Sequence, residues 1–405
     1  MGFFDFFRAR PTPDGFADLV LRQIGQRGPA RACHYEAAQF RIIFDGDAQQ
    51  IFNLDNAYRD YCAAPRKQRP HVLQNYLAGI DVPGLPATFA EARDSLMPVI
   101  RSRSQGDYLR LLALRQSPRP AVADAWQALD DDALILLAYD TQASMSTIGQ
   151  ATLAQWGVTF EQALAVAMDN LRERTPHSFV ALGDGLMMGE WHDAYDSSRL
   201  LLPDLLYRAC AGGEPLVMIP TRGRFLLASS HNVAGQLAMV ALADQLMQDE
   251  GRHVSPAMYG VRQGRIVACQ PTDGAVAAAL ARLQTMIRAH HYGEQKQEWD
   301  ELNDSLGEEV FVATCMLFQP KESEGVVSLA TWTRGVDTLL PRTDIVAMVV
   351  PDAAGGDSVT KMLAWHEALA IGGELMQEVD CYPVRYRVRD FPDPQHLAAA
   401  PAWDS

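Results

Sequence analysis

The chain has no uninterrupted apolar run near the roughly 18 to 20 residues that a membrane-spanning helix needs, which excludes a helical span as the basis of its function. It also lacks the common catalytic signatures: no Gly-x-Ser-x-Gly elbow, no Walker loop, no dinucleotide fingerprint and no His-Glu-x-x-His. Gly183-Asp184-Gly185 reads as a hairpin turn and not a phosphate cradle, because a strand follows it where a cradle needs a helix. Cysteine is sparse and dispersed. Cys33, Cys62, Cys210, Cys269, Cys315 and Cys381 form no Cys-x-x-Cys pair and have no histidine at ligand spacing, which predicts unlinked thiols in a reducing compartment, with no metal and no cofactor. Basic clusters are nearly absent. Arg101-Ser102-Arg103 is too short to draw nucleic acid to a chain of net charge −15, so no nucleic-acid partner is expected.

The start, Met1-Gly2-Phe3-Phe4-Asp5-Phe6-Phe7-Arg8, lacks a basic region before its apolar residues, and Phe6 stands where a myristoylation pattern needs Ser or Thr. A cytoplasmic protein is therefore expected. Phe3, Phe4, Phe6 and Phe7 are the one candidate for contact with a membrane surface; the plainer reading is a terminal turn packed on the body.

What is present is ordinary globular material: 405 residues, 48% hydrophobic and 21% charged, enough for more than one core. Phe16, Leu19, Val20 and Ile24 predict a helix over 14–27. Strands over 39–44 and 50–54 flank an Asp45-Gly46 turn, and a helical stretch to Leu77 is split by Pro65 and Pro70. Prolines punctuate 80–130, where Met97–Ile100 alone looks strand-like. Order resumes with a buried strand over 134–139, a helix stopped by Gly157, and a capping box, Thr159 to Gln162, that opens an amphipathic helix. Next come a hairpin over 179–188, a helix over 199–210 in which Pro203 is awkward and offers a later true start, strands over 216–220 and 224–228, and a helix from the Asn232 cap to Gln248 with Gly251 as its stop. That helix is apolar nearly all round, which predicts burial on more than one side. After Arg265–Cys269, a helix ending at His290-His291-Tyr292-Gly293 and a second ending at Gly307 precede three strands, a helix over 358–378 and a last strand over 384–388.

This order divides the chain into an α-β-β-α unit over 1–82, a linker with short elements over 83–132, a central domain over 133–272, a C-terminal helical pair with a β-β-β-α-β unit over 273–396, and a tail over 397–405. The predicted class is α+β: several small layered units with mostly antiparallel sheets packed against helices.

Two polar joints carry the candidate chemistry. Trp191, His192, Asp193, Tyr195, Asp196 and Arg199 form the densest run of site-capable groups, its histidine and two carboxylates suited to acid–base work or to weak metal binding. The plainer reading is a helix entry in which Asp196 and Ser197 cap and Asp193 pairs with Arg199. Arg222 and Arg224 flank Gly223 and suit an anion; the plainer reading is a solvated hairpin. His290 and His291 point about 100° apart on a helix, a poor chelating pair. His366 falls on an apolar stripe and reads as a core histidine, and the 339–344 segment reads as a tight loop tied by Thr343 and Asp344.

Five segments, Phe52–Tyr58, Leu96–Arg101, Ala167–Leu171, Ser198–Leu202 and Pro215–Arg222, occur in an order that resembles the YtpQ-like family of uncharacterised bacterial proteins, over about 14–270. Gly223 departs from that family's tendency to an acidic residue, and the block after Asp273 looks like an extension of its longer members. The resemblance implies a fold, but no activity and no cofactor. The expected function is thus a non-enzymatic accessory module that binds a protein partner. The alternative is a hydrolase or transferase using His192 and Asp193 with Arg222 and Arg224 on an anionic substrate; a weaker one is a small-anion sensor.

Overall fold

The computed structural model describes residues 11–26, 32–37, 40–44, 50–78, 85–116, 125–141, 145–210, 213–320, 325–352 and 358–403. The Phe3, Phe4, Phe6 and Phe7 surface and the Asp45-Gly46 turn lie outside them. Two compact units emerge, Met1–Ser95 with Tyr139–Ser146, and Leu96–Ala138 with Thr147–Ser405. The architecture is α+β, with several mostly antiparallel sheets packed against helices. Among the described residues, no helix is long and apolar enough to cross a membrane.

In the first unit, helix Pro13–Gly25 opens with proline in its first turn and Thr12 Oγ1 accepting from the Gly15 amide. Strands Arg41–Phe44 and Gln50–Asn53 pair antiparallel as expected. Cys33–Glu36 adds a third strand that the sequence reading missed: Cys33 and Tyr35 alternate toward the core, but a run of four residues is too short to stand out. The chain between the next two helices, Asp55–Ala63 and Arg69–Ala78, carries Pro65, and Pro70 is tolerated in the first turn of the second. Phe16, Val20, Ile42, Phe44, Leu54 and Leu77 close the core.

The second unit is built on a six-stranded antiparallel sheet in the order Arg265–Ala268, Met258–Arg262, Pro215–Met218, Leu226–Ser229, Leu186–Gly189, Phe179–Gly183. Alternation sends Val217, Leu227 and Tyr259 to one face, where Leu200 and Leu206 meet them. Met218, Leu226 and Met258 go to the other face, under helices Val233–Asp249 and Gly274–Leu306. The expected caps are present: Asn232 Oδ1 accepts from the Gly235 amide, Gly157 is left-handed, and Thr159 and Gln162 satisfy each other's backbone donors.

Several expectations need correction. Helix Val233–Asp249 buries one stripe, Gln236, Met239, Val240, Ala243 and Met247, while Val233 and Leu237 are exposed. The left-handed residue after it is Arg252 and not Gly251. Of the two starts offered for the helix over 199–210, the later is found: a 3-10 turn, Ser197–Leu201, precedes a helix that starts at Pro203, where proline's missing N–H costs nothing. The two helices before Gly307 are one helix of 33 residues. Gly293 costs about 1 kcal/mol in a helix interior, too little to end it when Tyr292, Gln295 and Glu298 are buried around it. Its neighbour is helix Arg103–Gln116, in the proline-rich stretch, tied to it by Ser104 Oγ to His291 Nδ1 at 3.1 Å and Gln295 to Asp107 at 3.3 Å.

The C-terminal part holds two four-stranded sheets. One runs Phe311–Val312, Thr338–Pro341, Arg385–Val388, Gln377–Val379; the other runs Met316–Phe318, Val327–Thr333, Ile345–Val350, Val359–Ala364. The expected helix over 358–378 is therefore a strand followed by helix Trp365–Gly372. Pairing with Ile345–Val350 overrides the helical spacing, and the β-branched Val359-Thr360 suits a strand. That switch removes His366 from any apolar stripe: its side chain is 80% exposed beside Glu367, which corrects the core reading. Leu339–Pro341 is likewise strand and not loop, whereas Thr343 and Asp344 do tie the turn after it, to the Ile345 carbonyl and to Ser328.

Candidate functional site

The Phe179–Gly183 and Leu186–Gly189 hairpin delivers the chain to Trp191. Gly189 is required here, because a Cβ would lie 2.1 Å from the Trp191 ring. Phe179, Trp191 and Phe225 then stack edge to face, and the Trp191 indole donates to the Pro176 carbonyl at 2.8 Å.

Under this aromatic wall lies Arg199, completely buried. Its two terminal nitrogens donate to the two oxygens of Asp193 at 2.7 and 2.6 Å. Its Nε donates to Thr175 Oγ1 at 3.1 Å, the Arg174 carbonyl accepts at 3.4 Å, and the guanidinium sits 4.4 Å from the Trp191 ring. The pairing of Asp193 with Arg199, the plainer reading of the sequence, is thus the arrangement found. Burial pushes the Asp193 carboxyl up, but the hydrogen bonds and charge of Arg199 outweigh it and hold the group below the usual carboxylate range.

Asp196 is buried as well, and the desolvation, reinforced by Asp193, raises its carboxyl. Its Oδ1 accepts the His192 amide at 3.2 Å, and its Oδ2 has no partner among the described residues. Neither Asp196 nor Ser197 makes the expected side-chain cap. His192 is exposed, at a left-handed φ of 53°, and meets Asp196 through its backbone and not its ring. Tyr195 is buried behind it.

The second joint touches the first: the Ser197 amide donates to the Arg222 carbonyl at 3.3 Å. Its two arginines part company. Arg224 is taken by Glu250, at 2.6 and 2.7 Å, and Thr221 Oγ1 holds the other oxygen of that carboxylate at 2.8 Å. The pair of Arg222 and Arg224 proposed from the sequence as one anion grip is therefore not assembled, because Glu250 satisfies one member. Arg222 turns instead to Gln105, whose Oε1 accepts at 2.6 Å, and its Nε is buried without a partner among the described residues.

Two further arginines join Arg222, and sequence reasoning missed both. Arg101 leaves the buried strand Leu96–Ser102, with Nη1 donating to the Ile100 carbonyl at 2.9 Å. Arg252 accepts the Arg222 amide on its own carbonyl at 3.2 Å. Burial lowers the Arg101 guanidinium to about 9, Arg222 and Arg252 push the same way, and Tyr195 opposes them. Burial, with Arg252 beside it, lowers Arg222 to about 10. The signal in the chain was Arg101-Ser102-Arg103, which is unremarkable by itself, and Arg101 lies more than 100 residues from both Arg222 and Arg252.

His290 and His291 gain a third ring, His253, with centroids 5.5 to 6.0 Å apart. Desolvation pushes His291 down to about 3, with His253 and His290 acting the same way, and desolvation also lowers His253. Among the described residues no group of three or more His, Cys, Asp or Glu has the arrangement of a metal site. Comparison with protein-family models, with curated proteins and with solved structures returns no match to the chain.

Proposed function

We propose that the chain works by binding and not by turnover, as an accessory module for a protein partner. The observation that carries this reading is the state of Asp193, whose two oxygens are both occupied by a buried guanidinium. A general base must draw a proton from its substrate, and Asp193 is poorly disposed to do so, with both oxygens accepting from the Arg199 guanidinium and Oδ1 from the Tyr195 amide as well. The hydrolase reading asks as well for Arg224, which Glu250 holds.

The partner half is supported by the Met316–Phe318 strand at the edge of its sheet, with Met316 and Leu317 respectively 44% and 40% exposed and Phe311 exposed nearby in sequence. The same reading includes a cytoplasmic setting, supported by the acidic composition and dispersed cysteines, and membership of the YtpQ-like family, which rests on the five segments alone. A photo-crosslinking amino acid at Leu317, in the cells that make the protein, is expected to give one discrete heavier adduct that Met316→Lys weakens. No adduct from position 317 or 311, or a hydrolytic turnover of the purified protein that His192→Ala removes, overturns the reading.

A further inference from the structure

Of the seven tryptophans in the chain, six are buried or half-buried, and Trp126 alone is exposed, at 52%. It opens the strand Trp126–Ala128, which pairs antiparallel with Ala133–Asp140 at the edge of its sheet and keeps all three of its residues exposed. A single exposed apolar side chain is ordinary, but this one forms the wall of a groove.

The backbone places the opposite wall. The Ala125 amide donates to the Ile148 carbonyl at 3.2 Å, which sets the start of the strand beside the start of helix Gln150–Trp156. That helix ends at the left-handed Gly157, and the Val158 amide returns to the Leu153 carbonyl at 3.2 Å. The chain then turns at once into the Thr159 capping box and helix Phe160–Glu173. Between the walls lies an open groove of about 440 Å³, within the ~300–1,000 Å³ of small-molecule sites, whose lining includes Trp126, Gln127, Gln150, Leu153, Phe160 and Glu161.

The charge of that lining is of one sign. Glu161 is its single ionisable side chain among the described residues, exposed in the first turn of a helix, where the dipole favours a carboxylate. Its own amide, and then the Thr159 hydroxyl, hold the carboxyl below the usual carboxylate range, so it is ionised near neutrality. An anion entering the groove would meet this carboxylate on a chain of net charge −15. Among the described residues no group of three or more His, Cys, Asp or Glu suits a metal ion. An organic cation, in contrast, is answered on both sides, by the indole face, the best of the aromatic partners for an ammonium group, and by the carboxylate. The side chains of Trp126, Gln127 and Gln150 make no hydrogen bond among the described residues, so the fold itself makes no use of their polar groups.

We propose that this groove is a binding site for a small organic ammonium ion, its alkyl groups against Trp126 and Phe160 and its charge toward Glu161. The site goes beyond the partner reading and rests on no part of it: either can fail while the other holds.

The test uses the whole chain with tetramethylammonium chloride, followed by saturation-transfer NMR of the methyl signal and by calorimetry, against sodium chloride at matched ionic strength. Saturable binding is expected for the parent, and tert-butanol, similar in shape but uncharged, should bind about tenfold more weakly. Trp126→Ala should weaken the affinity by about tenfold, the scale of one cation–π contact, and Glu161→Gln by about threefold, the scale of one exposed ion pair. Trp126→Phe keeps an aromatic face and should retain part of the affinity; it serves if Trp126→Ala does not fold. Asp169→Asn, on the same helix but paired with Arg172 outside the groove, should bind as the parent does. Phosphatidylcholine vesicles separate the sources of the ammonium group: co-flotation that Trp126→Ala abolishes assigns it to a headgroup, and saturable binding without flotation assigns it to a soluble ion. The proposal is overturned by no binding beyond that of sodium together with no flotation, by tert-butanol bound as tightly, by full affinity in both Trp126→Ala and Glu161→Gln, or by an equal loss in Asp169→Asn.

Discussion

Arg199 and Arg385 are both completely buried, and the chain keeps them there by opposite means. Arg199 is neutralised by a carboxylate gripped through two parallel bonds. Among the described residues, Arg385 has no carboxylate within hydrogen-bond distance. Its Nε donates to Gln295 Oε1 at 2.6 Å, and its terminal nitrogens donate to the carbonyls of Ala313, Leu339 and Tyr292, with the Tyr292 ring 5.0 Å away. Burial accordingly lowers its guanidinium to about 10. The first arrangement balances charge. The second uses four of the guanidinium's five donors as a cross-link among the long helix, the strand Thr338–Pro341 and the segment after Val312. The comparison teaches that a buried arginine in this protein is a fastening, and that its partners decide which conditions undo it.

The largest effect is expected at Arg385. Arg385→Ala leaves a cavity and several buried acceptors without a donor at once, which predicts a loss of about 4 kcal/mol or more in denaturant unfolding. Asp193→Ala leaves a buried guanidinium with one hydroxyl, one carbonyl and an aromatic face. A loss of about 3 kcal/mol is expected, at the lower end for a broken buried pair because the Asp193 side chain is 39% exposed and water can enter. Equal losses on substituting a surface pair such as Asp204 with Arg208 would erase the distinction between buried and exposed fastenings.

Acid sharpens the contrast. The folded-state carboxyl of Asp193 lies below its unfolded value of about 3.9, so its stabilisation is complete above that pH and fades as pH falls through the lower, folded value. The stability gap between parent and Asp193→Ala should therefore close below about pH 3.9, whereas the gap for Arg385→Ala should stay level. Asp196 has the opposite sign. Its raised carboxyl is an ionised group that folding disfavours, so Asp196→Asn should gain about 1 kcal/mol near neutrality. The gain should vanish as pH falls through the raised folded value and the parent protonates. A gain that persists at low pH would mean that packing, not charge, decides it.

Both fastenings were only half legible in the sequence, for a physical reason. Asp193 and Arg199 lie six residues apart, and a local reading could pair them. Every acceptor of Arg385 lies 46 or more residues away, and nothing in Val384–Val388 announces them. The same holds for the fold. Capping at Thr159 and Asn232, the left-handed stop at Gly157 and the hairpin at Gly183-Asp184-Gly185 are local chemistry and were readable. The strand Val359–Ala364 and the uninterrupted long helix are set by distant partners, which override the spacing of apolar residues.

The smallest expected effect tests the helix that seats Arg385. Gly293 follows Tyr292, whose carbonyl accepts from Arg385, and it interrupts an otherwise good helical sequence at an exposed position. Its φ is not positive, and an added Cβ would meet nothing within 4 Å. Gly293→Ala should therefore stabilise by about 0.5–1 kcal/mol, through the unfolded chain's smaller entropy and the better helix propensity of alanine. The gain should leave the acid dependence tied to Asp193 unchanged, since helix propensity carries no charge. In an Arg385→Ala background it should persist if the helix is held from end to end by its other neighbours. If it disappears there, the segment around Tyr292 is helical only because Arg385 pins it, and the break that the sequence suggests at His290–Gly293 is the conformation the chain prefers when that fastening is gone.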